Sequence, residues 1–111
     1  MLRSTFLFSA LAFTAMSFAG YNNNISGVVS QVLTYPSGNV FVKLENQPSS
    51  HPFCNSGFFA IDPAANEAAI GRMYARILAS YTTQQSINIG YDDGRAGSDC
   101  ISGYIHIYRA G

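Results

Sequence analysis

Residues 25–45 read ISGVVSQVLTY, then PSGN, then VFVKLE, and this stretch decides the fold class. The first eleven residues are rich in β-branched side chains, which favour a pleated strand, and Gly27 marks a bulge or sharp bend within it. Pro36, Ser37, Gly38 and Asn39 are concentrated turn chemistry. From Val40 to Glu45 the pattern alternates, with Val40, Val42 and Leu44 on one face and Phe41, Lys43 and Glu45 on the other. The two segments therefore predict a β-hairpin.

Residues 46–55 carry Pro48, His51 and Pro52 and read as a loop, and a third strand is expected at 57–61 (GFFAI). Asp62-Pro63 offers a capping carboxylate followed by a proline at the first helical position. Ile70, Met73, Tyr74, Ile77, Leu78 and Tyr81 recur at helical spacing, so a helix is predicted over 63–81, with Arg72 and Arg76 on its solvated side. A fourth strand is expected at 86–91 (SINIGY), a turn at 92–98, and a last strand at 101–109 (ISGYIHIYR) with Ile101, Ile105 and Ile107 inward. The resulting order, β-β-β-α-β-β, is that of an OB-fold, a mainly β five-stranded antiparallel Greek-key barrel with one helix. The alternative is an open antiparallel sheet with the helix on its face.

The chain has 111 residues, 48% hydrophobic and 11% charged, with a formal net charge of zero. Such a length holds one domain. The charge balance speaks against nucleic acid as a partner, because its binders carry a basic footprint. Aromatic residues at 14% give apolar surface to bury and exclude a disordered chain.

The chain opens MLRSTFLFSALAFTAMSFAG. One basic residue, Arg3, precedes an apolar run that ends in small residues flanking Phe18, the form of a secretory signal peptide. The run is too short for a membrane span. Cleavage is predicted after Ala19, leaving residues 20–111 as a single domain that is secreted or periplasmic. Without Arg3, the basic residues Lys43, Arg72, Arg76, Arg95 and Arg109 face six acidic ones, a slight negative excess.

Cys54 and Cys100 both lie beyond the predicted leader. In an oxidising compartment an even count predicts a disulfide. Closing so long a loop stabilises the fold by about 4 kcal/mol in the chain-entropy model. No C-x-x-C spacing suggests a redox role, and neither His51 nor His106 has metal-ligand spacing, so no metal or other cofactor is expected. Asp92, Asp93 and Asp99 do not follow the spacing of a calcium loop.

No G-x-S-x-G, H-E-x-x-H or strand–glycine loop–helix motif occurs, and the chain is expected not to be an enzyme. The candidate binding residues are Tyr104, His106 and Tyr108, which alternate on the outer side of the last strand. Phe41 and Lys43, outward on the second strand, extend the same surface. Aromatic rows of this kind stack on sugars or anchor protein interfaces. A glycan or a protein partner, including a second copy, is therefore expected. The competing expectation is that the helix or an N-terminal segment covers this face.

An export leader, a domain of this size and a disulfide-stapled β-β-β-α-β-β order resemble the B subunits of AB5 bacterial toxins, of the subtilase cytotoxin and typhoid toxin type. The resemblance is carried from Cys54 to strand four and includes MYARILASYTTQQSINIGY (73–91), an amphipathic helix ending in a polar Thr/Gln turn before a strand. It covers about half of the chain beyond the leader, and it is one of layout. It implies an OB barrel, a homo-oligomeric pentameric ring, recognition of sialylated or other host-cell glycans, and a catalytic A subunit as a further partner. The chain is shorter than those subunits, and no sugar-contacting residue carries over from them. A monomeric periplasmic OB-fold protein that binds a small cationic ligand or a protein is the alternative reading, and a disulfide-locked enzyme inhibitor is a third.

Overall fold

The computed structural model describes residues 21–94 and 97–111. The predicted leader at 1–19 lies outside the described residues. Among the described residues the chain forms eight strands and one helix: β1 (Asn23–Gly27), β2 (Val29–Thr34), β3 (Val40–Leu44), β4 (Asn55–Ile61), α1 (Glu67–Thr83), β5 (Ile87–Tyr91), β6 (Cys100–Ile101), β7 (Tyr104–His106) and β8 (Arg109–Ala110). They make two sheets, a three-stranded one in the order β1-β5-β8 and a five-stranded one in the order β2-β3-β4-β7-β6.

The expected count of five strands is corrected to eight by breaks in the first and last of the expected strands. The long first strand divides at Val28, so that β1 pairs with β5 while β2 pairs with β3. Asn46 sits against Gly27 where a side chain would stand, and its Nδ2 donates to Ser26 O at 2.8 Å. A bulge between Val29 and Gln31 bends the chain further. The expected last strand divides twice. Ser102 and Gly103 both have positive φ, 52° and 84°, and form a two-residue turn between β6 and β7. After β7, Ile107 and Tyr108 leave one sheet for the other: Ile107 N–H donates to Ala60 O, and Tyr108 N–H to Gly90 O.

The β2–β3 hairpin stands where the sequence places it. Thr34 pairs with Val40, Tyr35 N–H donates to Asn39 O at 3.0 Å, and Gly38 takes φ of 95° in the turn. The pairings are antiparallel except β4–β7, which is parallel. An all-antiparallel arrangement is corrected accordingly.

The helix starts four residues later than expected. Asp62 Oδ1 accepts from Ala64 N–H and closes a turn before the helix. The cap is Asn66, whose side chain accepts from the N–H groups of Ala68 and Ala69. At the other end Gln84 adopts the left-handed conformation and donates its N–H to Ser80 O. The buried helical residues are Ile77 and Ser80, whereas Tyr81, expected on the inner face, is exposed. Ser80 explains the rotation of that face. Its Oγ accepts from Val29 N–H at 3.2 Å and donates to Gln85 O at 2.6 Å, which fastens the helix to β2.

The core joins Val29, Val42, Leu44, Phe59, Ile61, Ile77, Ile87, Ile89, Ile105 and Ile107. Of the inward residues expected of the second and last strands, Val42, Leu44, Ile105 and Ile107 are buried in it, whereas Val40 and Ile101 are only partly buried. Cys54 and Cys100 form the disulfide, with Cα atoms 5.6 Å apart and a separation of 46 positions in sequence. It ties the start of β4 to β6. No helix among the described residues is long and apolar enough to cross a membrane.

Candidate binding surface

Strands β3, β4 and β7 lie side by side, so outward side chains on the three form one surface. Phe41 on β3 and Lys43 two residues on share the outer face of β3, opposite the buried Val42 and Leu44. On β4, Phe59 and Ile61 point into the core, which leaves Phe58 and Ala60 on the outer side. Tyr104 opens β7.

These side chains meet. The Phe41 and Tyr104 rings have centroids 4.8 Å apart at an interplanar angle of 53°, and Phe58 meets Tyr104 edge-on at 5.8 Å. Tyr35, at the end of the hairpin, lies 5.4 Å from Phe41 and is 48% exposed. Lys43 Nζ stands 5.8 Å from the centre of the Phe58 ring, within cation–π range. Ala60 is the register partner of Phe41 on one side and of His106 on the other, and its single methyl leaves room for rings to approach across β4.

The expected row Tyr104, His106, Tyr108 divides into two groups. Tyr104 joins Phe41 and Phe58. His106 and Tyr108 stack on each other, with centroids 4.0 Å apart and planes 28° from parallel. Both hold the carbonyl of Ser98: the Tyr108 hydroxyl donates at 2.7 Å and His106 Nδ1–H at 3.2 Å. That pair faces a groove beside α1 instead of the aromatic cluster. The chain leaves the five-stranded sheet just after His106, and this departure turns Tyr108 away from Tyr104.

No family model, curated protein or solved structure matches the chain.

Two members of the cluster, Phe58 and Tyr35, are missing from the sequence reading. Phe58 carried a signal. In Gly57-Phe58-Phe59-Ala60 a strand's period of two sends one phenylalanine in and the next out. Tyr35 had none, since a residue at a turn has no periodic neighbour to orient it.

The other histidine, His51, is a structural clasp. Its Nδ1 accepts from the N–H groups of Phe53 and Cys54 at 3.1 and 3.0 Å, and its Nε2–H donates to Asp92 O at 2.7 Å. The loop before the disulfide is thereby fixed to the end of β5. Beside it, Tyr91 packs 5.4 Å from Phe59, and its phenol is pushed above the usual tyrosine range by burial and, secondarily, by the Asp93 carboxylate. Asp92 and Asp99 are buried and engaged. Among the described residues no three His, Cys, Asp or Glu side chains gather as metal ligands do.

Proposed function

We propose that the protein is an exported, non-enzymatic binding module of OB-like architecture that recognises cell-surface glycans as an oligomer, in the manner of toxin B subunits. The observation that carries this reading is the outward cluster of Tyr35, Phe41, Phe58 and Tyr104 with Lys43 at its side. Aromatic faces stack on the C–H faces of sugars, and a lysine and two phenolic hydroxyls supply polar contacts at the margin. A core does not require such rings on its outer side.

The OB-like part is supported by connectivity. β1 runs into β2 through Val28 alone, and β7 into β8 through Ile107 and Tyr108, so two chain segments each belong to both sheets. A parallel pairing of the strand before the helix with the last long segment also suits the OB order. The ring assembly rests on the family resemblance.

The test is a glycan array probed with purified protein that lacks residues 1–19, alongside its solution mass by light scattering. Saturable binding to a defined set of glycans and a mass near five times that of the monomer support the reading. A monomer that binds no glycan overturns it.

A further inference from the structure

A second surface lies between α1 and the chain after β7. There an open groove of about 790 Å³ is walled by Ala65, Ala69, Met73, Ile107 and Ala110. Its size falls in the range that takes small organic ligands. We propose that this groove binds a fatty-acid carboxylate, the acyl chain against the alanine wall and the head group at Arg72 and Arg76.

Chemistry selects this occupant. The walls are largely methyl and methylene groups, and the two aromatic residues on the lining, His106 and Tyr108, already spend Nδ1–H and the hydroxyl on Ser98 O, so a hydroxylated ligand such as a sugar would lose its water there for few partners. The rim carries the charge. Arg72 and Arg76 are both exposed and stand one turn apart on α1, where side chains are neighbours. Like charges at that spacing destabilise a helix, and an anion between them reverses the effect. The acidic side chain on the lining, Asp62, already accepts from Ala64 N–H. Arg109 also lines the groove, with its guanidinium bonded to Asn88 and Asn24. Cationic rim and aliphatic wall together fit an anion with a hydrocarbon tail. Phe41 and Phe58 do not line this groove, so it is separate from the aromatic cluster.

Isothermal titration of the intact protein with sodium dodecanoate, below its micelle concentration, tests the proposal. Saturable single-site binding is expected. Each methylene fully buried changes affinity about fourfold, so the four that octanoate lacks are worth about 250-fold if fully buried, and at least about tenfold weaker binding is expected in an open groove. Arg72→Gln combined with Arg76→Gln, both at exposed positions, is expected to weaken dodecanoate binding about tenfold, and 1-dodecanol is expected to lose a similar factor against the wild type. Ala69→Phe, which puts a ring into part of the groove, is expected to weaken dodecanoate binding at least about tenfold while the free protein stays folded. Absence of saturable binding overturns the proposal. So does binding that neither the arginine pair nor Ala69→Phe alters.

Discussion

Phe41 on β3 and Tyr104 on β7 touch ring to ring at 4.8 Å, although β4 runs between their strands. The contact depends on Ala60, the β4 partner of Phe41, which is fully buried and carries a single methyl on that face. Placing three strands' aromatic residues around one small side chain makes a continuous apolar surface with phenolic edges. Such a surface suits a flat ligand laid across the strands.

Aromatic pairs of this geometry contribute about 0.5–1.5 kcal/mol beyond area burial. A double-mutant cycle of Phe41→Ala and Tyr104→Ala is therefore expected to give a coupling of about 1 kcal/mol in denaturant unfolding. A coupling near zero would mean that the rings do not meet in solution.

Cys54→Ser removes the disulfide that joins β4 to β6. A loss of about 2–5 kcal/mol is expected by chemical denaturation, with Cys100→Ser behaving alike. Free-thiol titration of the wild-type protein, purified without reductant, is expected to find no reactive cysteine. Two reactive thiols there would contradict the bridge.

Ser80→Ala deletes the acceptor for the buried N–H of Val29 and the donor to Gln85 O. An unsatisfied buried donor costs about 1–3 kcal/mol, and a loss of that order is expected. Thr82→Ala, whose hydroxyl bonds only to carbonyls within its own exposed helical turn, is expected to cost well under half as much. Equal effects would show that Ser80 does not fasten α1 to β2.

The raised Tyr91 phenol gives an alkaline dependence of stability. Burial holds the native phenol protonated above its unfolded value, with Asp93 adding to the shift. The unfolded state then releases its proton first, so the contribution is complete below about pH 10 and is lost as pH rises through the native value. Tyr91→Phe is expected to flatten the fall in stability that the wild type should show above pH ~10. An unchanged alkaline limb would place Tyr91 in water.

What the sequence made legible was local. The hairpin at Thr34–Val40 follows from turn residues and a strict alternation, both contained within a few positions. The helix was legible in type but not in its start, because Asp62-Pro63 and Asn66 both offer capping chemistry and Asn66 wins. Ser102-Gly103 carried a turn signal inside a β-branched run and reads as strand only if that signal is passed over. The break at Val28 depends on Asn46, nineteen residues beyond Gly27, and no local pattern encodes it. In the candidate surface, Phe41, Lys43 and Tyr104 are recognisable as outward residues from alternation alone. Their meeting rests on the parallel β4–β7 pairing, a long-range choice, and the separation of Tyr108 from Tyr104 rests on another, the passage of the chain after His106 to the other sheet.

The direct measurement is glycan binding by the wild type and by Tyr104→Ala, side by side on one array and then by titration with the best-bound sugar. A loss of at least about tenfold in affinity, corresponding to about 1.4 kcal/mol, is expected, with the variant still folded and its melting temperature lower by about 4–8 °C, as the lost ring contact with Phe41 requires. Undiminished binding by the variant would contradict the aromatic face as the recognition surface.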